Sequence, residues 1–283
     1  MLPRFPIYII SKGRAKNGLT WKALDHMKVD YKIIVDESEY EEYASVLDKS
    51  KLMICPNIYK LKYDTFWANE KTTGPGAARN YAWAHSIQRG YSHHWVMDDN
   101  LDAFHRLNRN IKAEVDSGTI FRCMEDFTLR YDNIAISGPN YYSFVKSTDA
   151  VKPYTLNTRI YSCLLINNSL TYRWRGKYNE DTDLAIRALK DGWCTVQFNA
   201  FLQGKVTTQR MNGGNHEQFY SKEGTLNKSK MLAEMHPDIA KVVWRFNRWH
   251  HHVDYKQFKK NKLNRITEPK DVVNNYGMAL VEE

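Results

Sequence analysis

The sequence contains no C-x-x-C pair, and its four cysteines, Cys55, Cys123, Cys163 and Cys194, lie 31 to 68 positions apart. That spacing excludes a zinc knuckle or a redox dithiol and predicts buried free thiols. Long hydrophobic runs are missing as well. No segment approaches the roughly 18 to 20 apolar residues of a membrane-spanning helix. The short apolar stretch at the start is interrupted by Pro6 and Lys12 too early for a secretory leader. A soluble, cytoplasmic protein with no membrane partner is the expectation. No internal repeat and no low-complexity tract is visible, which sets aside collagen-like and mucin-like chains.

What is present suits a folded protein: 283 residues, 42% hydrophobic and 13% aromatic. At about 150 residues per domain, this is one large domain or one domain with an appendage. Lys and Arg number 41 against 32 Asp and Glu, a net charge of +9. That balance is compatible with nucleic acid, a phosphorylated ligand or an acidic membrane surface, and charge alone does not choose among them.

Phe5 to Ile10, FPIYII, reads as a strand buried on both faces that ends in Ser11-Lys12-Gly13-Arg14. Thr20 to Met27 has helical character. Tyr31 to Val35 is a second strand, stopping at Asp36, and EYEEYASVL follows as a helix. This order opens an α/β fold with a mostly parallel sheet, in which ligands gather beyond the carboxyl ends of the strands. Gly74-Pro75-Gly76 leads into a helix that stops at Gly90, and Trp95-Val96-Met97 is a strand running into Asp98-Asp99-Asn100. Ile134 to Ser143 and Tyr161 to Ile166 read as strands. Tyr178 to Gly192 reads as a helix, and Cys194 to Phe198 as a further strand. From Thr207 a polar, Gly-rich loop, Met211 to His216, gives way to a basic tail.

Four stretches are suited to chemistry, each with a plainer alternative. Asp98-Asp99-Asn100 offers hard oxygen ligands for Mg²⁺ or Mn²⁺, or is simply the turn after a strand. Gly76 to Asn80 places small residues and Arg79 at a helix start, where an anion is favoured, though Gly-Pro-Gly also makes an ordinary tight turn. It is neither a Rossmann fingerprint nor a P-loop, because Arg79 replaces the third glycine and no G-K-[ST] follows. Asn179, as N-cap, precedes Glu180 and Asp181. Either one carboxylate, Asp181, accepts a proton from an acceptor hydroxyl, or both merely oppose the helix dipole. Trp244 to Lys262 interleaves bases with aromatics. It reads as phosphate contacts with stacking platforms, carried by Arg245, Arg248, Trp249, Lys256, Lys259 and Lys260, or as an amphipathic helix.

In this order the motifs resemble a GT-A fold nucleotide-sugar glycosyltransferase over about residues 5 to 216. On YIISKGRA, GPGAARNYA and WVMDDN, the chain is similar to the phage DNA-modifying group. That group comprises the TET-associated glycosyltransferases and the T-even beta-glucosyl-HMC-alpha-glucosyltransferase. The resemblance implies a Rossmann-like, mixed but mostly parallel sheet flanked by helices in residues 1–216, and a basic helical extension in residues 217–283. It implies that Ser11, Lys12, Gly13 and Arg14 line the nucleotide pocket, with Asp36 near the uracil and Gly76 and Arg79 at the nucleotide. Asp98 and Asn100 would occupy the ends of an Asp-x-Asp, for a sugar and a metal contact. Asn100 departs from the usual aspartate, so either Asp99 substitutes, the Mn²⁺ or Mg²⁺ is bound more weakly, or His216 completes the site. Glu180-Asp181 matches the pair of inverting members, with Asp181 as base. The implied donor is a UDP-sugar and the implied acceptor is 5-hydroxymethylcytosine in double-stranded DNA, or a sugar already on it. A phage-encoded member would act in the host cytoplasm. Other readings are a non-DNA glycan or protein acceptor, a metal-dependent nuclease using Asp98, Asp99 and Asp181, and a non-catalytic DNA-binding protein.

Overall fold

The computed structural model describes residues 1–68, 72–148, 151–205 and 225–266. The first half runs β1 (Ile7–Ile10), α1 (Thr20–His26), β2 (Lys32–Val35), α2 (Tyr40–Ala44), β3 (Leu52–Ile54), α3 (Asn57–Leu61), α4 (Gly76–Gln88) and β4 (His93–Asp98). Then come β5 (Leu101–Asn108), β6 (Ile111–Glu114), α5 (Thr119–Thr128), β7 (Ile134–Tyr141), β8 (Tyr154–Leu156), β9 (Cys163–Asn167), α6 (Glu180–Lys190) and β10 (Cys194–Lys205). The chain continues with α7 (Leu226–Met235), β11 (Ala240–Arg245) and β12 (Arg248–Val253).

The central sheet has ten strands in the order β3-β2-β1-β4-β9-β7-β10-β5-β6, with β8 paired to β10. The ladder directions set β1, β2, β3, β4, β6, β7 and β10 running one way and β5, β8 and β9 the other. The sheet is therefore mixed and mostly parallel, as a Rossmann-like GT-A fold requires.

Side chains along a strand alternate between faces, and here both faces are buried. Ile7, Ile9, Ile33, Val35, Trp95 and Met97 point to one core, covered by Trp21 and Leu24 of α1 and Phe121 and Met124 of α5. Tyr8, Ile34, Val96 and Leu164 point to the other, under Trp83 of α4 and Leu184 and Ala188 of α6. Each fully buried large apolar side chain contributes about 1.5–3 kcal/mol. A one-residue slip would exchange the two sets, so the register of the strand ends is well fixed. That register sets Ser11, Asp36 and Asp98 along one rim.

The extension differs from the expected helical one. Among its described residues, Leu226–Met235 alone is α-helical, and Tyr255–Lys260 is a short 3-10 stretch. Strands β11 and β12 form an antiparallel hairpin, with Trp244 opposite Trp249 and Arg245 opposite Arg248. At its two-residue tip, Phe246 and Asn247 both take positive φ, 52° and 57°, the geometry that matches the twist of a hairpin. Val242, Val243 and Trp244 favour a pleated strand, and that preference prevails over the helical reading of the basic and aromatic residues. Leu232, Ile239 and Phe258 share a core with Ile186 and Leu189 of α6. Asn261 donates to the carbonyls of Leu189 and Trp193, both at 2.8 Å. All four cysteines are free thiols. No helix among the described residues is long and apolar enough to cross a membrane.

Candidate active site

A cleft of about 1340 Å³ opens along the strand-end rim. Its lining includes Ser11, Lys12, Arg14, Asp36, Arg79, Asp98, Asp99, Asn100, Glu180, Asp181, Lys205 and Arg248. Segments far apart in the chain thus converge on one cavity, larger than the roughly 300–1,000 Å³ of a typical small-ligand site.

After β1, Ser11 Oγ donates to Asp99 Oδ2 at 2.7 Å and lies 2.6 Å from the Tyr43 hydroxyl. Arg14, itself buried, forms an ion pair with Asp99 Oδ1. Burial holds the Asp99 carboxyl above its ordinary range, and Arg14 offsets only part of that shift. The Asp99 carbonyl receives the backbone N–H groups of Leu19 and Thr20 at 2.8 and 3.3 Å. The helix α1, which has no side-chain cap, is capped by this turn. Lys12 is exposed on the rim. Gly13 is among the expected nucleotide contacts but does not line the cleft; its φ is +64° and its N–H is donated to Glu39 at 3.0 Å. Asp36 lies on the rim and is paired with Lys60. Burial acts to raise its pKa, but the bonds from Lys60 and Ser38 outweigh it and the carboxyl sits below its ordinary range.

Gly76 also departs from its expected role. A Cβ there would run into the Tyr63 hydroxyl, which donates to the Gly176 carbonyl at 2.9 Å. The glycine permits close packing at the α4 start. Arg79, 2% exposed, gives Nη1 to Glu180 at 2.9 Å and Nη2 to Asp98 at 2.8 Å. Each terminal nitrogen thus gives one of its two N–H groups to an acid, and Arg79 holds Asp98 and Glu180 together on the cleft wall.

Asp98 carries a second cation, Lys205 Nζ, at 2.7 Å on Oδ2. Burial favours the neutral acid, yet Lys205 and Arg79 outweigh it and hold Asp98 well below the usual carboxylate range. At the α6 start, Asn179 occupies the N-cap position but in the left-handed conformation, φ 55°, without capping through its side chain. Its amide instead donates to the Lys228 carbonyl at 2.7 Å, tying α6 to α7. Asp181 Oδ1 accepts the Thr182 N–H at 2.7 Å. Burial raises the pKa of Asp181, with Arg79 and Lys228 opposing. Burial likewise raises Glu180, against Arg79 and with the help of Asp181, to about 7. Removal from water is the largest influence on Asp181 and makes it a stronger base than an exposed carboxylate.

Sequence reasoning missed Lys205, Ser162, Tyr141 and Tyr161, all on the cleft. Tyr141 and Tyr161 stack with ring centroids 6.2 Å apart, and Tyr141 shares a 2.7 Å hydrogen bond with Ser162. Each lies at or near a strand end, the signal that would have found them.

For the expected Mn²⁺ or Mg²⁺, all four carboxylate oxygens of Asp98 and Asp99 already face a donor from the chain. Asn100 is 2% exposed, and no group of three or more His, Cys, Asp or Glu among the described residues is disposed to hold a metal ion. The described donors do not fit a divalent ion. The two-metal nuclease reading of Asp98, Asp99 and Asp181 meets the same difficulty. His216 lies outside the described residues.

Of the DNA-contact candidates, Arg248 reaches the cleft lining, while Arg245 and Trp249 are exposed on the same hairpin. Lys256, Lys259 and Lys260 are exposed on the following 3-10 stretch.

A Rossmann-like mixed sheet with a polar cleft at its strand ends is the architecture of the GT-A fold. Residues 5–214 match the family model of the TET-Associated Glycosyltransferase, and the chain belongs to that family. Among curated proteins, none matches the chain.

Proposed function

We propose that the protein transfers a sugar from a UDP-sugar to a hydroxyl on double-stranded DNA, that of 5-hydroxymethylcytosine or of a sugar already attached to it, with inversion at the anomeric carbon. The observation that carries this reading is the convergence of Ser11, Asp36, Asp98 and Asp181 on one cleft. The cleft has room for a nucleotide-sugar and an acceptor together. Asp181 takes the acceptor proton as the new bond to C1 forms, and cations beyond it face the departing diphosphate. Asp36 and the rim around Lys12 are the nucleotide side of the cleft.

The acceptor assignment draws on the hairpin. Phe246, 88% exposed, lies between Arg245 and Arg248, and Trp244 and Trp249, 56% and 39% exposed, lie on either side of that pair. Exposed aromatics set among guanidinium groups suit stacking on bases and contact with phosphates. A buried cytosine must leave the duplex to enter a cleft of this kind, and an exposed apolar tip beside the mouth suits that exchange.

Mixing the protein with hydroxymethylated and with pre-glucosylated DNA and a panel of UDP-sugars, then weighing the released nucleosides by mass spectrometry, tests the reading. The expected result is a hexose or pentose mass added to the modified cytosine. Transfer to protein or free glycan with DNA left unchanged would move the acceptor elsewhere.

DNA affinity should also fall steeply with salt. Replacing Arg245 and Arg248 together by Ala should make the slope of log K against log salt shallower by about 2, one contact each at about 0.9. Fluorescence anisotropy across a salt series measures this, and an unchanged slope would take the hairpin out of the DNA interface.

A further inference from the structure

The acids at the end of β4 are paired with cations belonging to the chain itself. Arg79 and Lys205 occupy the two oxygens of Asp98 at 2.8 and 2.7 Å; Arg14 and Ser11 occupy those of Asp99. Lys205 Nζ also reaches Ser162 Oγ at 2.6 Å, and its side chain is 17% exposed. An ammonium has three donors; among the described residues two are taken by these contacts, with the Tyr141 ring centroid 5.9 Å from Nζ, and the third serves an oxygen in the cleft that Lys205 lines. Burial disfavours the charged form, but Asp98 more than offsets it, so the pKa of Lys205 stands above that of an ordinary lysine.

A divalent ion seated on Asp98, Asp99 and Asn100 would have to displace Lys205 or Arg14 and sit against Arg79. Like charges this close and this far from bulk water repel strongly. The acids serve another purpose here, which is to hold three cations in fixed positions.

We propose that Lys205, fixed by Asp98 and Ser162, supplies the positive charge that meets the leaving diphosphate, and that the Asp98-Asp99-Asn100 turn binds no divalent ion. The inference rests on the nucleotide-sugar reading above. In the step, the bond between C1 of the sugar and the β-phosphate oxygen breaks, and its electron pair stays on that oxygen. Lys205 donates a hydrogen bond to the oxygen as its charge grows. The acceptor oxygen bonds to C1, and its proton passes to Asp181, leaving UDP and the glycosylated product.

The test titrates the full chain with UDP by calorimetry, once in EDTA and once in Mn²⁺, and measures transfer under both conditions. UDP affinity and transfer rate should agree within about twofold between the two, because no ligand or step depends on the ion. Lys205→Met should lower the transfer rate by about 10²–10³-fold, the scale of losing one charge-stabilising donor, while Lys205→Arg keeps most of it. The wild-type comparison stands even if a Lys205 variant fails to fold. UDP binding that disappears in EDTA and returns with Mn²⁺ would overturn this inference and leave the nucleotide-sugar reading intact. No UDP binding under either condition would overturn that reading, and this inference with it.

Discussion

Asp181→Asn should lower sugar transfer by about 10²–10⁴-fold while leaving UDP affinity near the wild-type value. The amide is nearly isosteric, keeps an oxygen to accept the Thr182 N–H, and lacks only the ability to take a proton. Calorimetric UDP binding beside a transfer assay separates the two effects. Near-normal turnover in the variant would remove Asp181 as the base. The wild-type pH profile carries a linked expectation. Burial raises the pKa of both Asp181 and Glu180, the latter to about 7, so the adjacent carboxyls lose their protons later than ordinary carboxylates, at about 4. The base acts only when ionised, so kcat/KM should rise as pH increases through this shifted range. The apparent value on the rising limb belongs to the pair. A profile already flat from the ordinary carboxylate range upward would show that the burial around α6 does not control the proton.

The second large effect is on stability. Asp183, fully buried on α6, binds Arg175 at 3.0 Å, Arg187 Nε at 2.8 Å and His236 Nε2 at 2.9 Å. Asp183→Ala removes the only carboxylate common to these contacts and leaves the guanidinium groups without it. A loss of about 3–5 kcal/mol is expected, the scale of breaking a buried ion pair from one side. Urea unfolding monitored by tryptophan fluorescence measures it, and a change below about 1 kcal/mol would show that desolvation cancels the network's contribution. Burial raises the Asp183 pKa, but the His236 bond and the two arginines outweigh it, so the folded-state value is lowered. The stabilisation is therefore complete above the unfolded carboxyl pKa of about 3.9 and fades as pH falls towards the lower folded value.

Much of the fold was legible because its signals are local. FPIYII and YKIIV announce strands through uninterrupted β-branched and aromatic residues, and the structure starts β1 at Ile7 and β2 at Lys32. The helix from Gly-Pro-Gly to Gly90 was equally plain, and α4 spans Gly76–Gln88. The strand-end rule gathers Ser11, Asp36 and Asp98, and all three line the cleft. Where residues of one face mix polar and apolar character, the reading failed. Strand β5 has only Leu101 and Phe104 fully buried, so it lacks the continuous apolar run that signals a strand. Strand β10 was stopped at Phe198, because Asn199, Gln203 and Gly204 look like loop residues. The register with β7 shifts between Phe198 and Leu202, and a strand that bulges loses its regular alternation. Lys205, seven residues past that point, was lost with it. The pairing of Arg79 with both Asp98 and Glu180 was beyond the sequence for a different reason. Nothing local distinguishes an arginine that will hold two distant acids from one that will hold a phosphate.

The core shared by α6 and the extension means that the family's matched region, residues 5–214, is not a place to divide the molecule. A chain ending before Leu226 would present Ile186 and Leu189 to water. It would also release Asn179, the residue immediately ahead of Glu180, from its anchor on Lys228. Helix α6 and the basic hairpin stand on the same foundation, so trimming the hairpin's support loosens the start of α6, with Glu180 and Asp181, as well.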